Sequence, residues 1–359
     1  MKNNKILISC SFDWLASQIC NDIINANYRP IYFTSLKKKY LKTRGLNKNV
    51  EIWNYFGLIS SIRFLILKFS NNPYYFYPFF DIINLLNLIF FRPKAFIGWS
   101  SMSYLSLSYC KRFNIKTYLM CGSSHINDFY QLNTNSSNLI KFIYSNWVKN
   151  EYLIADKIVI ESNFIKKSFT QNGIVENKLI VIPTKPENKV FYNRKNYSID
   201  SSSFKCITIG THEIKSIDLV IELWVRSKLF QQQDAELLIV GKLNSNIRNI
   251  IKHHKIKNII HYEKLSQFKI IENIEKSHLY ICLTKNDAGP RSLIESYMLG
   301  CEILCSNNCI GSDLNSPNVH VYELSNFEKL CNKLKYLYDN KKLKKIIPNY
   351  KTKNYEEIF

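Results

Sequence analysis

The segment Asp287–Ser306 reads DAGPRSLIESYMLGCEILCS and follows an apolar run, Leu279–Leu283. Pro290 suits the first position of a helix, where its missing N–H is not needed, and Gly300 suits the position after the helix end. The residues between them carry an apolar stripe at helical spacing: Leu293, Ile294, Tyr297 and Met298. With a further strand at Glu302–Cys305, the segment predicts strand, helix and strand. The helix would open at the top of a sheet, where its N-terminus attracts anions.

Short apolar runs alternate with longer helical stretches along the rest of the chain, a pattern typical of buried parallel strands with helices between them. In the first half the predicted strands are Lys5–Ser9, Pro30–Thr34, Val50–Trp53, Ala95–Gly98, Thr117–Met120, Lys157–Glu161 and Leu179–Ile182. In the second half they are Lys205–Ile209, Glu236–Val240, Ile259–His261, Leu279–Leu283 and Glu302–Cys305. Two successive sets predict an α/β protein with two doubly wound, Rossmann-like domains.

The boundary between the two domains is predicted from two stretches that break regular structure. Pro183–Pro186 contains two prolines, and Asn196–Ser203 is polar. We therefore predict an N-terminal domain at 1–186, a C-terminal domain at 187–345, and a terminal segment at 346–359 that packs back toward the N-terminal domain. Two such domains facing across a cleft would hold ligands at the carboxyl ends of their strands.

The charge balance is strongly basic, with 49 Lys and Arg against 28 Asp and Glu and a formal net charge of +21. Three kinds of partner suit this charge: nucleic acid, an anionic membrane surface and phosphorylated substrates. A bias toward Lys, Asn and Ile explains part of the excess equally well. Because the sequence lacks helix-turn-helix, zinc and base-stacking motifs, a nucleic-acid partner rests on charge alone and is not predicted.

Targeting signals and cysteine usage favour a cytoplasmic protein. The apolar run after Met1 is too short for a secretory signal, and the ten cysteines form no CxxC pairs, which is typical of reduced, buried thiols. The most apolar region, Tyr74–Phe91, includes Asp81 and is too polar to span a bilayer. Because this region accompanies the basic stretch Lys37–Lys48, peripheral contact with the inner face of the membrane stays an open alternative.

The segment at Asp287 resembles the acid-x7-Glu signature of retaining GT-B glycosyltransferases, especially the large family 4, with Asp287 and Glu295 as the two acids. Ala155–Phe169 resembles the family's AD-x-hydrophobic-S-x-F strand and helix, and Glu236–Gly241 resembles its LLIVG strand. Leu179–Pro183 resembles the strand that leads out of the first domain. The resemblance covers residues 115 to 306 and implies a GT-B fold with a nucleotide diphosphate sugar as donor.

What the resemblance implies for the donor site can be stated residue by residue. The implied donor-binding residues are Gly210, Lys215, Asp287, Ala288, Gly289, Arg291, Ser292 and Glu295. Lys215 would bind the pyrophosphate and Asp287 the sugar, so both are predicted to be catalytic. The chain departs from the family in having Asp287 for its usual Glu, Ser216 for its Gly and no Arg in the phosphate loop. Arg291 or His212 would then supply the second cation.

A third catalytic residue is expected in the first domain. Cys121–Ile126 reads CGSSHI after a predicted strand and resembles a segment of one branch of the family, whose members place a His near the reacting sugar. The resemblance therefore implies that His125 belongs to the site, although a lone His is more often structural.

These expectations add up to a metal-independent glycosyltransferase that needs no cofactor, because the sequence contains no Asp-x-Asp metal motif. The acceptor would be a saccharide or a lipid-linked saccharide, in capsule, lipopolysaccharide or glycolipid synthesis. The alternative is a non-catalytic partner subunit of the same fold that binds a nucleotide sugar or a glycan. The altered phosphate loop and the Asp at position 287 favour that alternative modestly.

Overall fold

A computed structural model describes residues 4–10, 15–43, 45–54, 65, 68, 76–131, 138–186, 191, 195–200, 202–210, 213–253, 256–350 and 355–358. The chain forms two compact units. The N-terminal unit comprises Met1–Ile160, Lys166–Ile182 and Lys353–Phe359, and the C-terminal unit comprises Glu161–Ile165 and Pro183–Thr352. The change of unit after Ile182 lies slightly before the predicted boundary, and the return at Lys353 lies after the predicted start of the terminal segment. The predicted cleft between the domains stays a prediction.

The N-terminal unit is built on a seven-stranded sheet of order β3-β2-β1-β4-β5-β6-β7. All neighbouring strands are parallel. The strands are β1 (Lys5–Ser9), β2 (Arg29–Thr34), β3 (Glu51–Asn54), β4 (Ala95–Trp99), β5 (Lys116–Cys121), β6 (Lys157–Ile160) and β7 (Leu179–Val181). The helices are α1 (Leu15–Asn25), α2 (Lys38–Thr43), α3 (Phe76–Phe91), α4 (Tyr104–Arg112), α5 (Ile126–Gln131), α6 (Asn138–Ile154) and α7 (Asn163–Gln171). Each predicted strand of this half is confirmed.

The C-terminal unit contains a six-stranded parallel sheet of order β11-β10-β9-β12-β13-β14 and a small antiparallel pair of β8 with β15. The strands are β8 (Tyr197–Ser198), β9 (Phe204–Ile209), β10 (Ala235–Val240), β11 (Ile259–Tyr262), β12 (Leu279–Cys282), β13 (Glu302–Ser306), β14 (Val319–Tyr322) and β15 (Lys344–Lys345). The helices are α8 (Ile217–Arg226), α9 (Ser245–His253), α10 (Gln267–Lys276), α11 (Arg291–Met298) and α12 (Phe327–Asp339).

The sequence-based prediction omitted β14, β8 and β15. β14 is an edge strand in which His320 separates Val319 from Val321, so it lacks a continuous apolar run. The two-residue strands β8 and β15 contain polar residues and are too short to show a periodic pattern.

Each face of the C-terminal sheet is covered by an apolar core. Alternate residues of each strand point to opposite sides and therefore enter different cores. Leu279 and Ile281 of β12 pack in one apolar core with Trp224, while Tyr280 packs in the other core with Leu293. The strand order reverses beside β9, whose neighbours are β10 and β12. In a doubly wound sheet the loops after such strands form the ligand crevice, so the loops that follow β9 and β12 define the place to look for a site.

The thiol prediction is confirmed, since all ten cysteines are buried and free. Within the described ranges no helix has the length and apolar character needed to cross a bilayer. Among those same residues, no group of three or more His, Cys, Asp or Glu side chains is arranged to hold a metal ion.

Candidate functional site

The two loops at the crevice are joined by an ion pair between Lys215 and Asp287. Lys215 ends a 3-10 turn, Glu213–Lys215, after β9, and Asp287 lies between β12 and α11. The ammonium of Lys215 donates a hydrogen bond to Oδ2 of Asp287, with the side chains 20% and 16% exposed. Two residues predicted to act on different parts of one ligand therefore contact each other.

The position of Lys215 is set by its neighbours in both loops. A Cβ atom on Gly210 would lie 2.6 Å from Cβ and 2.7 Å from Cγ of Lys215, so only glycine lets the lysine stem cross at this point. The carbonyl of Ile214 accepts hydrogen bonds from Thr284 Oγ1 and Lys285 N, each at 2.9 Å. These contacts tie the turn to the end of β12 and aim the ammonium at Asp287.

Asp287 is held by its backbone. Its N–H donates to the carbonyl of Asn308 at 3.1 Å, and it forms an isolated parallel bridge with Cys309. Burial alone would lower the pKa of Lys215, but the carboxylate of Asp287 together with the neighbouring Cys282 and Cys309 raises it on balance. Lys215 is therefore fully charged at neutral pH, and an incoming anion would compete with Asp287 for its ammonium.

The start of α11 lies directly after Asp287. Pro290 precedes its first turn and offers no side-chain acceptor to it, so the positive end of the helix dipole faces this loop. Ala288 is buried, and a Cβ on Gly289 would collide with the hydroxyl of Thr184. Glycine at position 289 therefore allows a close approach of two backbone segments.

Three predicted donor residues belong to α11 itself: Arg291 and Ser292 lie in its first turn, and Glu295 lies one turn further along. Ser292 shares a 2.5 Å hydrogen bond between its Oγ and the hydroxyl of Tyr280, so its side chain is already engaged. Arg291 is half-buried. Glu295 is only 6% exposed, lies within α11 and, like Asp287, acts electrostatically on Tyr280. The roles of these residues stay predictions.

His125 belongs to the N-terminal unit, where it follows β5 and precedes α5. It is buried, with ring centroids 5.1 Å from Tyr152 and 5.5 Å from Phe169. Burial lowers the pKa of His125 to about 4, although Asp128 acts in the opposite direction. Because Nδ1 accepts the N–H of Asn127 at 3.3 Å, the ring proton of the neutral form sits on Nε2. His125 is therefore a neutral hydrogen-bond donor at pH 7.

The corresponding crevice of the N-terminal sheet is filled by the protein's own carboxylates, a feature that the sequence did not reveal. Asp81 accepts the N–H groups of Leu105 and Ser106 at 2.6 and 3.1 Å. Glu151 accepts those of Ser101 and Ser103 at 2.6 and 2.7 Å. Carboxyl groups of the protein already occupy these donors, which favours the C-terminal loops as the place for a phosphate.

Thr184 was also not singled out from the sequence, because the segment Pro183–Pro186 served only to place the domain boundary. It is buried beside Gly289, and its Oγ1 has no hydrogen-bond partner among the described residues. Its only signal in the sequence is a Thr between two prolines. Conversely, His212, considered as a second cation, lies outside the described residues, so that expectation stays a prediction.

Ser216, where the related family has glycine, adopts a left-handed conformation with φ of +47° and ψ of 52°. This conformation costs a non-glycine residue about 1–2 kcal/mol. Glycine avoids that cost, but part of the gain is offset because glycine loses more conformational entropy on folding. We expect Ser216→Gly to stabilise the protein by roughly 0.5–1 kcal/mol in denaturant unfolding.

The matched control is Ser227→Gly at the other end of α8, where φ is −73°. This change removes the 3.1 Å hydrogen bond from Ser227 Oγ to the carbonyl of Trp224 and relieves no strain, so it should destabilise. Equal midpoints for Ser216→Gly and the wild type would argue against strain at position 216.

Comparison with known proteins gives a family-model match over part of the chain and a fold for most of it. Residues 191–354 match the family model described as Glycosyl transferases group 1. A search of curated proteins gives no significant match. Among solved structures, a glycosyltransferase from Rickettsia africae ESF-5 superposes with a TM-score of 0.65 at 17% identity, covering 94% of this chain and 89% of that chain.

Two further structures show the same likeness. WaaG, a glycosyltransferase involved in lipopolysaccharide biosynthesis, gives a TM-score of 0.65 at 11% identity, covering 93% of this chain and 90% of that chain. Anabaena HepE in complex with UDP-glucose gives 0.62 at 10% identity, covering 94% and 90%. At these identities the likeness shows the fold, which is the predicted GT-B fold with two Rossmann-like domains.

Proposed function

We propose that this chain, whose residues 191–354 match the family model of group 1 glycosyl transferases, moves a sugar from a nucleoside diphosphate to a saccharide or lipid-linked saccharide with retention at the anomeric carbon. The observation that carries the proposal is the meeting of Lys215, Asp287 and the start of α11 at the crevice of the C-terminal sheet. A cation and a helix N-terminus together suit a diphosphate, and a carboxylate beside them suits sugar hydroxyls.

The chemistry expected at this place is stabilisation of the leaving diphosphate. Negative charge develops on it as the glycosidic bond breaks, so a fixed ammonium and the helix dipole favour the transition state over the ground state. On donor binding, Lys215 would turn from Asp287 to the diphosphate, and Asp287 would be released to accept hydrogen bonds from the sugar. The ion pair thus holds both groups at the place where the donor would bind.

The same groups support a reaction without a divalent cation. Lys215 and the start of α11 supply positive charge where a metal ion would otherwise neutralise the diphosphate. Turnover that persists in excess EDTA is the expected result, and loss of turnover that Mg²⁺ restores would contradict this part of the proposal.

The donor and acceptor are proposed by analogy with the structural neighbours. HepE holds UDP-glucose, so UDP-glucose is the first donor to test, and the role of WaaG in lipopolysaccharide biosynthesis makes lipid-linked saccharides the first acceptors. The assay measures release of nucleoside diphosphate with and without acceptor. Donor binding without release across a donor panel, by folded protein, would support the non-catalytic partner subunit instead.

We further propose that the enzyme works in the cytoplasm at the inner membrane surface, through α3. The inner face of this helix buries Phe80 and Leu88 together with polar residues. Asp81 caps α4, and Asn84 bonds to Ser9 and to the carbonyl of Met102. The opposite face of α3 carries exposed apolar side chains at helical spacing: Ile82, Leu86, Ile89 and Phe90. Exposed apolar residues on one face of a basic protein suit an anionic lipid interface.

Flotation with liposomes tests this idea. We expect the protein to float with anionic vesicles, and the double variant Leu86→Ser/Phe90→Ser to stay in the soluble fraction, because it loses the apolar face. The control is Phe268→Ser, which removes an equally exposed ring from α10 of the C-terminal unit. Equal recovery with neutral and anionic vesicles would remove the electrostatic part of the proposal, and flotation of the double variant would remove α3 from it.

A further inference from the structure

The main chain of His125 is tied to α7 and, through it, to a carboxylate. The N–H of His125 donates a 2.9 Å hydrogen bond to Oγ of Ser168, a buried residue of α7. The hydroxyl of Ser168 donates in turn to Oδ2 of Asp128 at 2.5 Å. Asp128 is half-buried in the first turn of α5, three residues after His125. A first hydrogen-bonded route therefore runs from Asp128 to the main chain of His125.

The other oxygen of Asp128 begins a second route, which ends at the imidazole. Oδ1 of Asp128 accepts a hydrogen bond at 3.1 Å from the side-chain amide of Asn172, just beyond the end of α7. Oδ1 of Asn172 accepts the side-chain amide of Asn127 at 2.8 Å. The backbone N–H of Asn127 donates to Nδ1 of His125 at 3.3 Å. All five residues of this network belong to the N-terminal unit.

The two routes fix different features of the imidazole. The route through Ser168 holds the main chain from which the ring projects. The route through Asn172 holds the N–H of Asn127 against Nδ1, which keeps the ring proton on Nε2. Tyr152 and Phe169 flank the ring with centroids at 5.1 and 5.5 Å, but such contacts do not distinguish its two nitrogen atoms. The tautomer therefore depends on the hydrogen bonds.

A carboxylate is the group that sets the direction of these hydrogen bonds, because it accepts with both oxygens and has no donor. Ser168 must donate its one proton to Asp128, so its lone pairs are left for the N–H of His125. Asn172 must point its NH₂ group at Asp128, so its oxygen faces Asn127. Every hydrogen bond of the network thus follows from the position of Asp128.

We infer that Asp128 is a positioning residue, which acts through Ser168 and Asn172 to fix the orientation and the Nε2–H tautomer of His125. Its task is to direct Nε2–H to where the transferring sugar would lie. The inference rests on the proposed function, because that function gives His125 its role at the sugar.

A matched control separates positioning from structural support, since the same contacts also join α7 to α5. At the opposite end of β5, Asp156 accepts the N–H and the hydroxyl of Thr117 at 2.8 and 2.9 Å. Like Asp128, it joins two segments of the N-terminal unit by hydrogen bonds to a carboxylate. Asp156→Asn should therefore cost stability in denaturant unfolding but leave kcat unchanged.

Asp128→Asn is expected to lower kcat about 10- to 100-fold, the scale for a misplaced catalytic group, and to leave nucleoside diphosphate affinity unchanged. Asparagine keeps the shape of the side chain but presents an NH₂ group where one oxygen accepted a hydrogen bond. In the His125→Phe background the same change should cause no further loss of kcat, because Asp128 acts only through the imidazole. Unchanged kcat in Asp128→Asn, or an equal loss in both backgrounds, would overturn the inference.

Nitrogen NMR of the histidine rings gives a readout that does not depend on activity. His125→Phe removes the signals of His125 and so identifies them among the seven histidines. We expect the Nε2–H tautomer alone in the wild type and in Asp156→Asn, and a mixture of both tautomers in Asp128→Asn. The Nε2–H tautomer alone in Asp128→Asn would contradict the inference. If the wild type transfers no sugar, the proposed function fails, and the tautomer still decides whether Asp128 positions His125.

Asn172→Ala is the second variant, to be used if Asp128→Asn fails to fold. It breaks the route to the imidazole at a half-buried position beyond the end of α7. We expect the same mixture of tautomers and the same dependence of kcat on His125. Wild-type kcat together with the Nε2–H tautomer alone in Asn172→Ala would then reject the inference.

Discussion

Lys215→Met is expected to lower kcat/KM for the donor by roughly 30- to 1,000-fold, which corresponds to about 2–4 kcal/mol of transition-state stabilisation. Methionine keeps the aliphatic stem that crosses Gly210 and removes only the charge, so the substitution isolates the ammonium. In the wild type, the positive charge of Lys215 would contact the diphosphate as its bond to the sugar breaks. The measurement is steady-state kinetics with the donor that the wild type uses.

Two companion variants make this result specific. Lys285→Met changes an exposed lysine in the neighbouring loop and should leave kcat/KM unchanged. Asp287→Asn combined with Lys215→Met should cost less than the sum of the single effects, because the two side chains form one ion pair. Unchanged turnover in Lys215→Met would contradict the phosphate contact and make Arg291 the next candidate.

His125→Asn is expected to lower kcat by about 100-fold, the scale of a lost transition-state contact, and to leave nucleoside diphosphate affinity unchanged. Asparagine retains an acceptor for the N–H of Asn127 but lacks the Nε2–H that we propose hydrogen bonds to the transferring sugar. Since burial lowers the pKa of His125 to about 4, the ring is neutral above that pH. A plot of kcat against pH should therefore show no change between pH 5 and 8 that is caused by protonation of His125.

His125→Phe is the control for packing, because it restores a ring between Tyr152 and Phe169 without any hydrogen bond. We expect it to be as inactive as His125→Asn although it is well folded. Wild-type kcat in His125→Phe would show that the residue only fills space, which is the more common role of a lone buried His.

The strands that position the site were predictable from sequence because each is a buried, continuous apolar run. In segment Asp287–Ser306 the bounds of the helix were predictable as well, because Pro290 and Gly300 delimit it. The structure has α11 between these two residues. The edge strand β14 was not predicted because His320 interrupts its apolar residues.

The ion pair of Lys215 with Asp287 could not be read from sequence, since the two residues lie in loops far apart in the chain. Their proximity depends on the order of β9 and β12 in the sheet, which the apolar pattern leaves open. The sequence also could not show which side of α3 faces outward. Buried Asp81 and Asn84 read as polar surface until their partners in α4 and β1 are known.

The most direct test of the donor site is calorimetry of nucleoside diphosphate and intact donor with Glu295→Gln and Asp287→Asn. Glu295 lies within α11, about 7.5 Å beyond Pro290 at 1.5 Å per residue, and we propose that it accepts hydrogen bonds from the ribose. Glu295→Gln should therefore weaken both ligands about tenfold. Asp287→Asn should spare the nucleoside diphosphate and impair turnover of the intact donor, and Glu328→Gln, an exposed acid of α12, should change neither. If folded Glu295→Gln binds nucleoside diphosphate as the wild type does, the donor does not bind at α11 and the proposed function loses its main support.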